Sequence, residues 1–129
     1  MPQQNENYFD SLPFGRLGII ALKRCAELGK KVDDHLIEWR STRNHELRHH
    51  TAYEGYERDS YLIPCENPRF GSGESKGRID ESVRGDDLYI LVDVLNYSLT
   101  YSMFGKTNHM SPDDHFQDLK RIIAAVGGK

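Results

Sequence analysis

The stretch HELRH at residues 45–49 has the spacing H-E-x-x-H, which on a helix can hold zinc between two histidines, with the glutamate as general base of a metalloprotease. Such a site needs a helix that packs on the protein through an apolar face, and a third ligand further along the chain. The surrounding residues contain the isolated Leu47 and no apolar stripe, and no spacing singles out Glu54, Glu57 or Glu66 as that ligand. We therefore interpret the motif as a solvated helix face, with adventitious metal binding as the alternative, and predict no metal ligand and no catalytic residue here.

Composition limits the classes of protein to be considered. A chain of 129 residues, 37% hydrophobic and 29% charged, is one domain's worth of ordinary globular protein. Its net charge of -3 gives no electrostatic reason to expect a nucleic acid or a membrane as partner. Cys25 and Cys65 are too few for a disulfide framework and indicate buried or incidental thiols in a reducing compartment. Because no apolar run approaches a membrane span and the first residues lack signal-peptide features, we expect a cytoplasmic protein.

The first part of the chain shows mainly helical patterning. Residues 1–13 are polar and are predicted to form a loose arm, with one domain covering residues 14–129. A helix is predicted from Arg16, with Gly29 as a stop or a kink, and a second helical piece from about Lys30 into the early forties. These predictions rest on apolar residues near helical spacing, which are Leu17, Ile20, Ala21 and Leu28 in the first piece and Val32, Leu36 and Trp39 in the second.

The middle of the chain is predicted to contain extended segments. SYLIP at residues 60–64 is a short apolar run typical of a strand, and GESKGRIDES at residues 73–82 alternates weakly, as in an exposed hairpin arm. LYILVDV at residues 88–94 is nearly all apolar, which is typical of a strand covered on both faces. NYSLTYSMFGKTNH at residues 96–109 is predicted to be a long aromatic and polar connection that lines a nucleotide site or covers a subunit contact, of which we favour the second.

The last element is a helix with clear boundary signals. Ser111 suits the N-cap and Pro112 the first helical position, while Asp113 and Asp114 favour the positive end of the helix dipole. Gly127-Gly128 is predicted to end the helix, and its buried stripe is predicted to consist of Phe116, Leu119, Ile122, Ile123 and Val126. A buried strand followed by such a helix is a βα unit, and the sequence stops where the next parallel strand is expected, which suggests a truncated or divided protein.

Several motifs follow one another in a fixed order in the second half of the chain. They are Arg69-Phe70, Gly73-Glu74 and Glu81-Ser82-Val83-Arg84-Gly85, followed by the predicted buried strand and by the helix DDHFQDLKRIIAAVGGK. This ordered set resembles the N-terminal domain of ribose-phosphate pyrophosphokinase, whose family has an R-F-x-D-G-E turn, a short strand, an E-S-V-R-G turn and a strand. The resemblance is clear from about Tyr61 to the C-terminus and vague for the first helices.

The resemblance implies a fold, an activity and partners. The fold would be an α/β, phosphoribosyltransferase-like three-layer domain with a partly parallel sheet, flanking helices and an exposed β-hairpin. The family uses Mg²⁺ to transfer diphosphate from ATP to ribose 5-phosphate, giving phosphoribosyl pyrophosphate for nucleotide biosynthesis. Family members assemble as dimers and hexamers, so self-association is expected. The family's magnesium ligands and catalytic loops belong to later motifs and a second domain, so we expect these 129 residues alone to be inactive.

The resemblance also implies roles for individual residues. Phe70 would stack on the adenine of ATP and Glu74 would accept a hydrogen bond from its exocyclic amine, across a subunit boundary. Ser72 stands where the family usually has Asp or Asn, so adenine recognition would be weaker or altered. Ser82 and Arg84 match a turn that in parts of the family binds an allosteric phosphate between subunits.

The same residues also allow simpler roles. Phe70 would then be a core residue at a strand end and Glu74 part of a solvated turn, while Arg84 would form a salt bridge to Asp86 or Asp87. For the whole chain, the alternative to an enzyme domain that supplies adenine contacts and oligomer surfaces is a non-catalytic regulatory or nucleotide-binding homologue of the same family.

Overall fold

The structure of the protein is a computed structural model, which describes residues 15–46 and 58–129. The predicted arm at residues 1–13 and most of the H-E-x-x-H motif lie outside these residues, so both stay sequence predictions. The elements in chain order are β1 (Leu17–Ala21), a 3-10 turn (Lys23–Cys25), α1 (Ala26–Glu46), β2 (Cys65–Glu66), β3 (Arg78–Ile79), β4 (Asp87–Leu91), β5 (Thr100–Met103), β6 (Lys106–His109) and α2 (Pro112–Val126). The chain is therefore a small domain of mixed helix and strand, consistent with an α/β fold.

The centre of the domain is the parallel pair β1–β4, whose register runs from Leu17 opposite Asp87 to Ala21 opposite Leu91. On the other edge of β1, the amide of Ile19 donates to the carbonyl of Tyr61 at 2.7 Å, and that of Ile63 donates to the carbonyl of Ile19 at 2.8 Å. The segment SYLIP is thus extended beside β1, although only the Ile19–Leu62 bridge is regular enough to count as parallel pairing.

The helix predicted from Arg16 is wrong, because Leu17–Ala21 is a strand. Its three central residues are all buried, as expected for a parallel strand covered on both faces. A short apolar run of this kind has no periodicity that separates a strand from a buried helix, and its pairing partners lie far away in the sequence. The residues read as one helical stripe therefore belong to two different elements.

Gly29 does not stop or kink the second helix, since α1 runs without interruption from Ala26 to Glu46. It is instead a point of close approach. A methyl group placed on Gly29 would lie 2.6 Å from the Cβ atom of Ala21, so only glycine lets α1 lie this close to β1.

The antiparallel parts of the fold also differ from the predictions. β2 pairs with β3, and a further bridge joins Arg69 to Ser75. The exposed character of this hairpin arm is not confirmed, because Ser75 and Ile79 are buried. The long connection predicted over residues 96–109 is wrong in part, since β5 and β6 form a hairpin there. Its two turn residues, Phe104 and Gly105, have φ angles of 49° and 76°, as type I′ hairpin turns require.

The strand predicted at LYILVDV is confirmed as β4, but not its coverage on both faces, because Tyr89 is 62% exposed. Within the described residues the central sheet consists of β1, β4 and the Ile19–Leu62 bridge, and the face that carries Tyr89 is exposed. No helix in residues 15–46 or 58–129 is long and apolar enough to cross a bilayer.

The boundaries of α2 are confirmed. The Ser111 side chain accepts from the amide of Asp114, whose carboxylate accepts from the Ser111 amide, and Gly127 is the C-cap. The predicted buried stripe is only partly correct, since Ile122 is fully buried while Phe116 and Ile123 are 52% and 53% exposed. Two polar residues, His115 and Asp118, are buried on this helix instead. The core that α2 joins consists of Ile20, Leu22, Ile63, Ile79, Val83 and Ile122.

We predict that Gly29→Ala destabilises the domain. In an open helix interior this change would stabilise by about 1 kcal/mol, but here the added methyl meets Ala21, and overpacking of this kind costs about 1–3 kcal/mol. Urea denaturation should show a lower free energy of unfolding. In an Ala21→Gly background, where the opposing methyl is absent, the same change should be neutral or stabilising. A stabilised Gly29→Ala in the wild-type background would contradict this packing.

Candidate functional site

The residues predicted to contact adenine lie on a tight turn between the strands of the β2–β3 hairpin. The amide of Phe70 donates to the carbonyl of Glu74 at 2.8 Å, and the amide of Gly73 donates to the carbonyl of Phe70 at 2.9 Å. Gly73 has a φ of +91°, a conformation that favours glycine. We call residues 70–74 the finger turn.

Arg69 anchors the finger turn to the domain. Its Nη1 atom donates to the carbonyl of Gly73 at 2.6 Å, and its Nη2 atom lies 3.0 Å from both carboxylate oxygens of Asp118 on α2. The guanidinium carbon lies 4.5 Å from the centre of the Tyr101 ring, a cation–π contact. One side chain thus ties the turn to a helix and to the β5–β6 hairpin.

Asp118 collects further bonds from both arms of the hairpin. The Ser75 hydroxyl donates to its carboxylate, and the Asn67 side-chain amide donates to its backbone carbonyl at 3.3 Å. The side chains of Arg69 and Asp118 are only 13% and 10% exposed. A buried ion pair needs such additional hydrogen bonds to offset the loss of hydration of both charges.

The β5–β6 hairpin supports the finger turn from a second side. The amide of Phe104 donates to the carbonyl of Gly71 at 3.0 Å. A methyl group placed on Gly73 would lie 2.8 Å from the sulfur of Met103. The segment that the sequence indicated only as a long connection therefore helps to hold the turn in place.

Phe70 and Glu74 line one shallow cleft of about 450 Å³, which we call the finger cleft. Both side chains are exposed, Phe70 at 54%, so the simpler reading of Phe70 as a core residue is wrong. Ser72 lies at the tip of the turn, is also exposed, and does not line the cleft. The other lining residues are Ser75, Lys76, Gly77, Arg121, Ala124 and Ala125. An aromatic face, a carboxylate and a guanidinium are thereby presented to one concavity.

The predicted phosphate residues lie on the turn before β4. The Ser82 hydroxyl donates to the carbonyl of Lys129 at 2.7 Å. Arg84 is exposed and, among the residues that the structure describes, forms no hydrogen bond or ion pair. The salt bridge considered between Arg84 and Asp86 or Asp87 is therefore not formed.

The acidic residues after Arg84 bind other partners. Asp86, whose side chain is 2% exposed, accepts from Arg16 at 3.0 and 3.3 Å and lies 3.9 Å from Arg58. A carboxylate oxygen of Asp87 accepts from the amide of Gly15 at 3.2 Å. Arg58 also pairs with Glu81 at 2.9 Å. These bonds occupy the carboxylates around the turn and leave the Arg84 guanidinium to solvent.

A second and larger cleft, of about 560 Å³, opens at the carboxyl ends of β1 and β4, and we call it the strand-end cleft. It is lined by Ala21, Leu22, Lys23, Arg24, Ala26, Cys65, Glu66, Asn67, Pro68, Arg69, Val92, Asp93, Leu99, Thr100, Tyr101, Met110, His115 and Asp118. Burial raises the pKa of the Cys65 thiol, and the nearby Asp80 carboxylate raises this pKa further. A thiol held in its protonated form is a poor nucleophile.

No group of three or more His, Cys, Asp or Glu side chains that could hold a metal ion occurs in the part of the chain that the structure describes. The sequence indicated Phe70, Ser72, Glu74, Ser82 and Arg84. It did not indicate four charged or polar residues that line the strand-end cleft, which are Lys23, Arg24, His115 and Asp118. The one sequence signal for Asp118 is its spacing. It lies four residues before the buried Ile122, which places both residues on the inner face of a capped amphipathic helix.

Comparison with known proteins identifies a protein family that matches most of this chain. The family model described as the N-terminal domain of ribose phosphate pyrophosphokinase matches residues 17–128. The searches of curated proteins and of solved structures returned no significant match.

We predict that Asp118→Ala destabilises the domain by about 3–5 kcal/mol, because it leaves the buried Arg69 guanidinium without its counter-charge. Urea denaturation measures the effect. Asp113→Ala, an exposed carboxylate in the first turn of the same helix, should cost less than about 1 kcal/mol. Replacing Arg69 by Met in the Asp118→Ala background should restore part of the loss. Equal effects of Asp118→Ala and Asp113→Ala would contradict a central role for the ion pair.

Proposed function

We propose a function for this chain from the fact that it belongs to the family of ribose-phosphate pyrophosphokinase N-terminal domains. The reaction is the transfer of diphosphate from ATP to ribose 5-phosphate, which produces phosphoribosyl pyrophosphate for nucleotide biosynthesis. In this proposal the domain supplies adenine contacts and oligomer surfaces to the enzyme, which acts in the cytoplasm. We propose that the domain has the three-layer phosphoribosyltransferase fold, with the β1–β4 pair at the centre of its sheet.

The observation that carries the proposal is that Phe70 and Glu74 share the finger cleft. Stacking on the exposed Phe70 ring requires only the face of a base. The Glu74 carboxylate accepts hydrogen bonds and cannot donate them when ionised, so it favours a base edge that carries an amine, as adenine does. Arg121 at the same cleft provides a permanent positive charge for a phosphate.

The finger turn is held rigidly, which favours the binding of a ligand by Phe70 and Glu74. The Arg69–Asp118 pair and the Phe104–Gly71 hydrogen bond hold the finger turn before any ligand arrives. Binding then orders few side chains, which lowers the entropic cost of association. Ser72 carries no charge at the tip of the turn, so we propose that adenine recognition rests on Phe70 and Glu74.

We extend the proposal to the subunit contacts expected of the family. Exposed aromatic side chains at Phe70 and Phe104, the latter 81% exposed, lie on adjoining turns and offer an apolar surface to a second copy in a dimer or hexamer. Arg84, with its guanidinium in solvent, and Ser82 would receive an allosteric phosphate at such a contact. Ser82 would have to exchange its bond to the Lys129 carbonyl for the phosphate.

Magnesium belongs to the family's reaction, in which a Mg²⁺ ion bound with ATP usually takes one or two carboxylates together with phosphate oxygens. We propose that its protein ligands lie in the family's later motifs rather than among the described residues. We therefore assign no magnesium ligand and derive no step through the metal.

We predict that Phe70→Ala weakens ATP binding about 5- to 150-fold, the range expected for loss of one stacked base. Isothermal titration calorimetry with ATP measures the change. Phe116→Ala is the matched control, because Phe116 is equally exposed on α2, 52% against 54% for Phe70. The control should bind ATP as the wild type does. Equal affinity of the wild type and Phe70→Ala would contradict the adenine site.

Glu74→Gln tests the hydrogen bond to the base. The wild type should prefer ATP to inosine triphosphate, because hypoxanthine presents a carbonyl where adenine has its amine. Glutamine can donate as well as accept, so the variant should lose most of this preference, a change of about fivefold or more. An unchanged preference for ATP would show that Glu74 does not read the base.

We predict that a polypeptide of these 129 residues does not convert ATP and ribose 5-phosphate to AMP and phosphoribosyl pyrophosphate. The finger cleft can position a nucleotide, but the resemblance places the family's magnesium ligands, catalytic loop and ribose 5-phosphate loop in later motifs that these 129 residues do not contain. A coupled assay for AMP is the measurement. Steady turnover that Phe70→Ala reduces would contradict the prediction.

A further inference from the structure

The strand-end cleft has the position and the size of a ligand site. Ala21 and Leu22 form its wall at the end of β1, and Val92 and Asp93 form its wall just after β4. Ligands of parallel α/β sheets bind at the carboxyl ends of the strands. The volume of about 560 Å³ lies within the usual range for small-molecule sites.

Two cations at this cleft have no partner among the described residues. Arg69 is paired with Asp118, and Glu66 shares the Arg78 guanidinium with Asp80, at 3.0 and 2.9 Å. Lys23 and Arg24 are exposed and form no hydrogen bond or ion pair within residues 15–46 and 58–129.

Asp93 opposes these two cations with one negative charge, and one of its oxygens already accepts from the amide of Leu95 at 3.2 Å. Lys23 and Arg24 therefore remain as the two cations that a ligand at this cleft can engage. The N-terminus of α1 begins directly after the 3-10 turn, at Ala26, and adds the positive end of a helix dipole. An anion is the ligand that this field favours.

Part of the lining is apolar and can hold a ring. It includes the buried side chains of Leu22 and Met110, which are 7% and 6% exposed, together with Val92 and Leu99. The Tyr101 ring also lines the cleft and carries the Arg69 guanidinium over one face. A bare inorganic anion would leave this apolar surface unused.

A buried polar side chain is built into the same wall. His115 is 4% exposed, and its Nε2 atom lies 2.6 Å from the carbonyl oxygen of Asn96. Because a carbonyl only accepts, Nε2 carries the proton and Nδ1 of the neutral ring is an acceptor. Nδ1 has no partner among the described residues, and it is accessible to solvent, because no buried side-chain nitrogen or oxygen among them lacks a partner. It can accept a hydrogen bond from a hydroxyl of a bound ligand.

We propose that the strand-end cleft binds a phosphate monoester that carries an apolar or aromatic ring. Lys23 and Arg24 bind the phosphate, the apolar wall receives the ring, and His115 accepts from a ligand hydroxyl. The Arg69–Asp118 pair separates this site from the finger cleft, which Ser75 lines on the other side. The site is thus distinct from the nucleotide site proposed above and does not rest on it.

The test is a titration of the ¹⁵N-labelled 129-residue chain with phenyl phosphate and, separately, with inorganic phosphate, followed by NMR. Phenyl phosphate should shift amide signals of the 3-10 turn and of the segment after β4, and should bind at least tenfold more tightly than inorganic phosphate. Lys23→Ala/Arg24→Ala should weaken phenyl phosphate binding at least tenfold. Lys30→Ala/Lys31→Ala removes the same charge from exposed positions on α1 and should bind within twofold of the wild type.

Three results would overturn the proposal. They are the absence of shifts around the cleft, equal binding of the two phosphates, and an equal loss in both double variants, which would indicate a general charge effect. Phe70→Ala separates this outcome from the adenine site, because it should leave the shifts that phenyl phosphate causes in the 3-10 turn and in the segment after β4 unchanged. Failure of ATP binding with intact phenyl phosphate binding would contradict the nucleotide proposal alone, and the reverse result would contradict the present one alone.

Discussion

The buried ion pair between Arg69 and Asp118 is the interaction on which the functional part of this structure depends. Two charges taken out of water are costly, and a well-packed apolar pair of the same shape can stabilise a fold as well or better. The main effect of the pair is to fix the positions of the surrounding elements relative to one another. The pair joins a turn, a helix and, through Tyr101, a hairpin at one point. The turn and the helix cannot shift apart without breaking a charged hydrogen bond, and the hairpin cannot shift without losing the cation–π contact.

Both clefts follow from this one junction. On one side the pair holds the finger turn so that Phe70 and Glu74 stay exposed beside α2, and on the other side it forms part of the wall of the strand-end cleft. The domain therefore presents two concave surfaces around a single rigid centre. The parallel β1–β4 pair and the close approach of α1 at Gly29 supply the frame against which α2 packs.

The sequence indicated the exposed residues of the finger turn, Phe70 and Glu74, but not the residues that hold the turn in place. Phe70 and Glu74 were recognisable because they belong to a short motif whose members are close in the chain. Asp118 was not, since its partner Arg69 lies 49 residues away and a carboxylate on a helix is usually solvated. His115 was missed for the same reason, because its bond to the Asn96 carbonyl depends on how a distant loop folds over the helix.

The sequence by itself determined what depends on neighbouring residues, namely the family motifs, the capping box and ends of α2, and the strand character of β4. Only the tertiary structure decided that Leu17–Ala21 is a strand, that Gly29 is a packing contact, and that α2 buries Asp118 rather than Phe116. The physical reason is that caps and turns are satisfied by hydrogen bonds within a few residues, whereas strand pairing and the choice of buried face are settled by partners far along the chain.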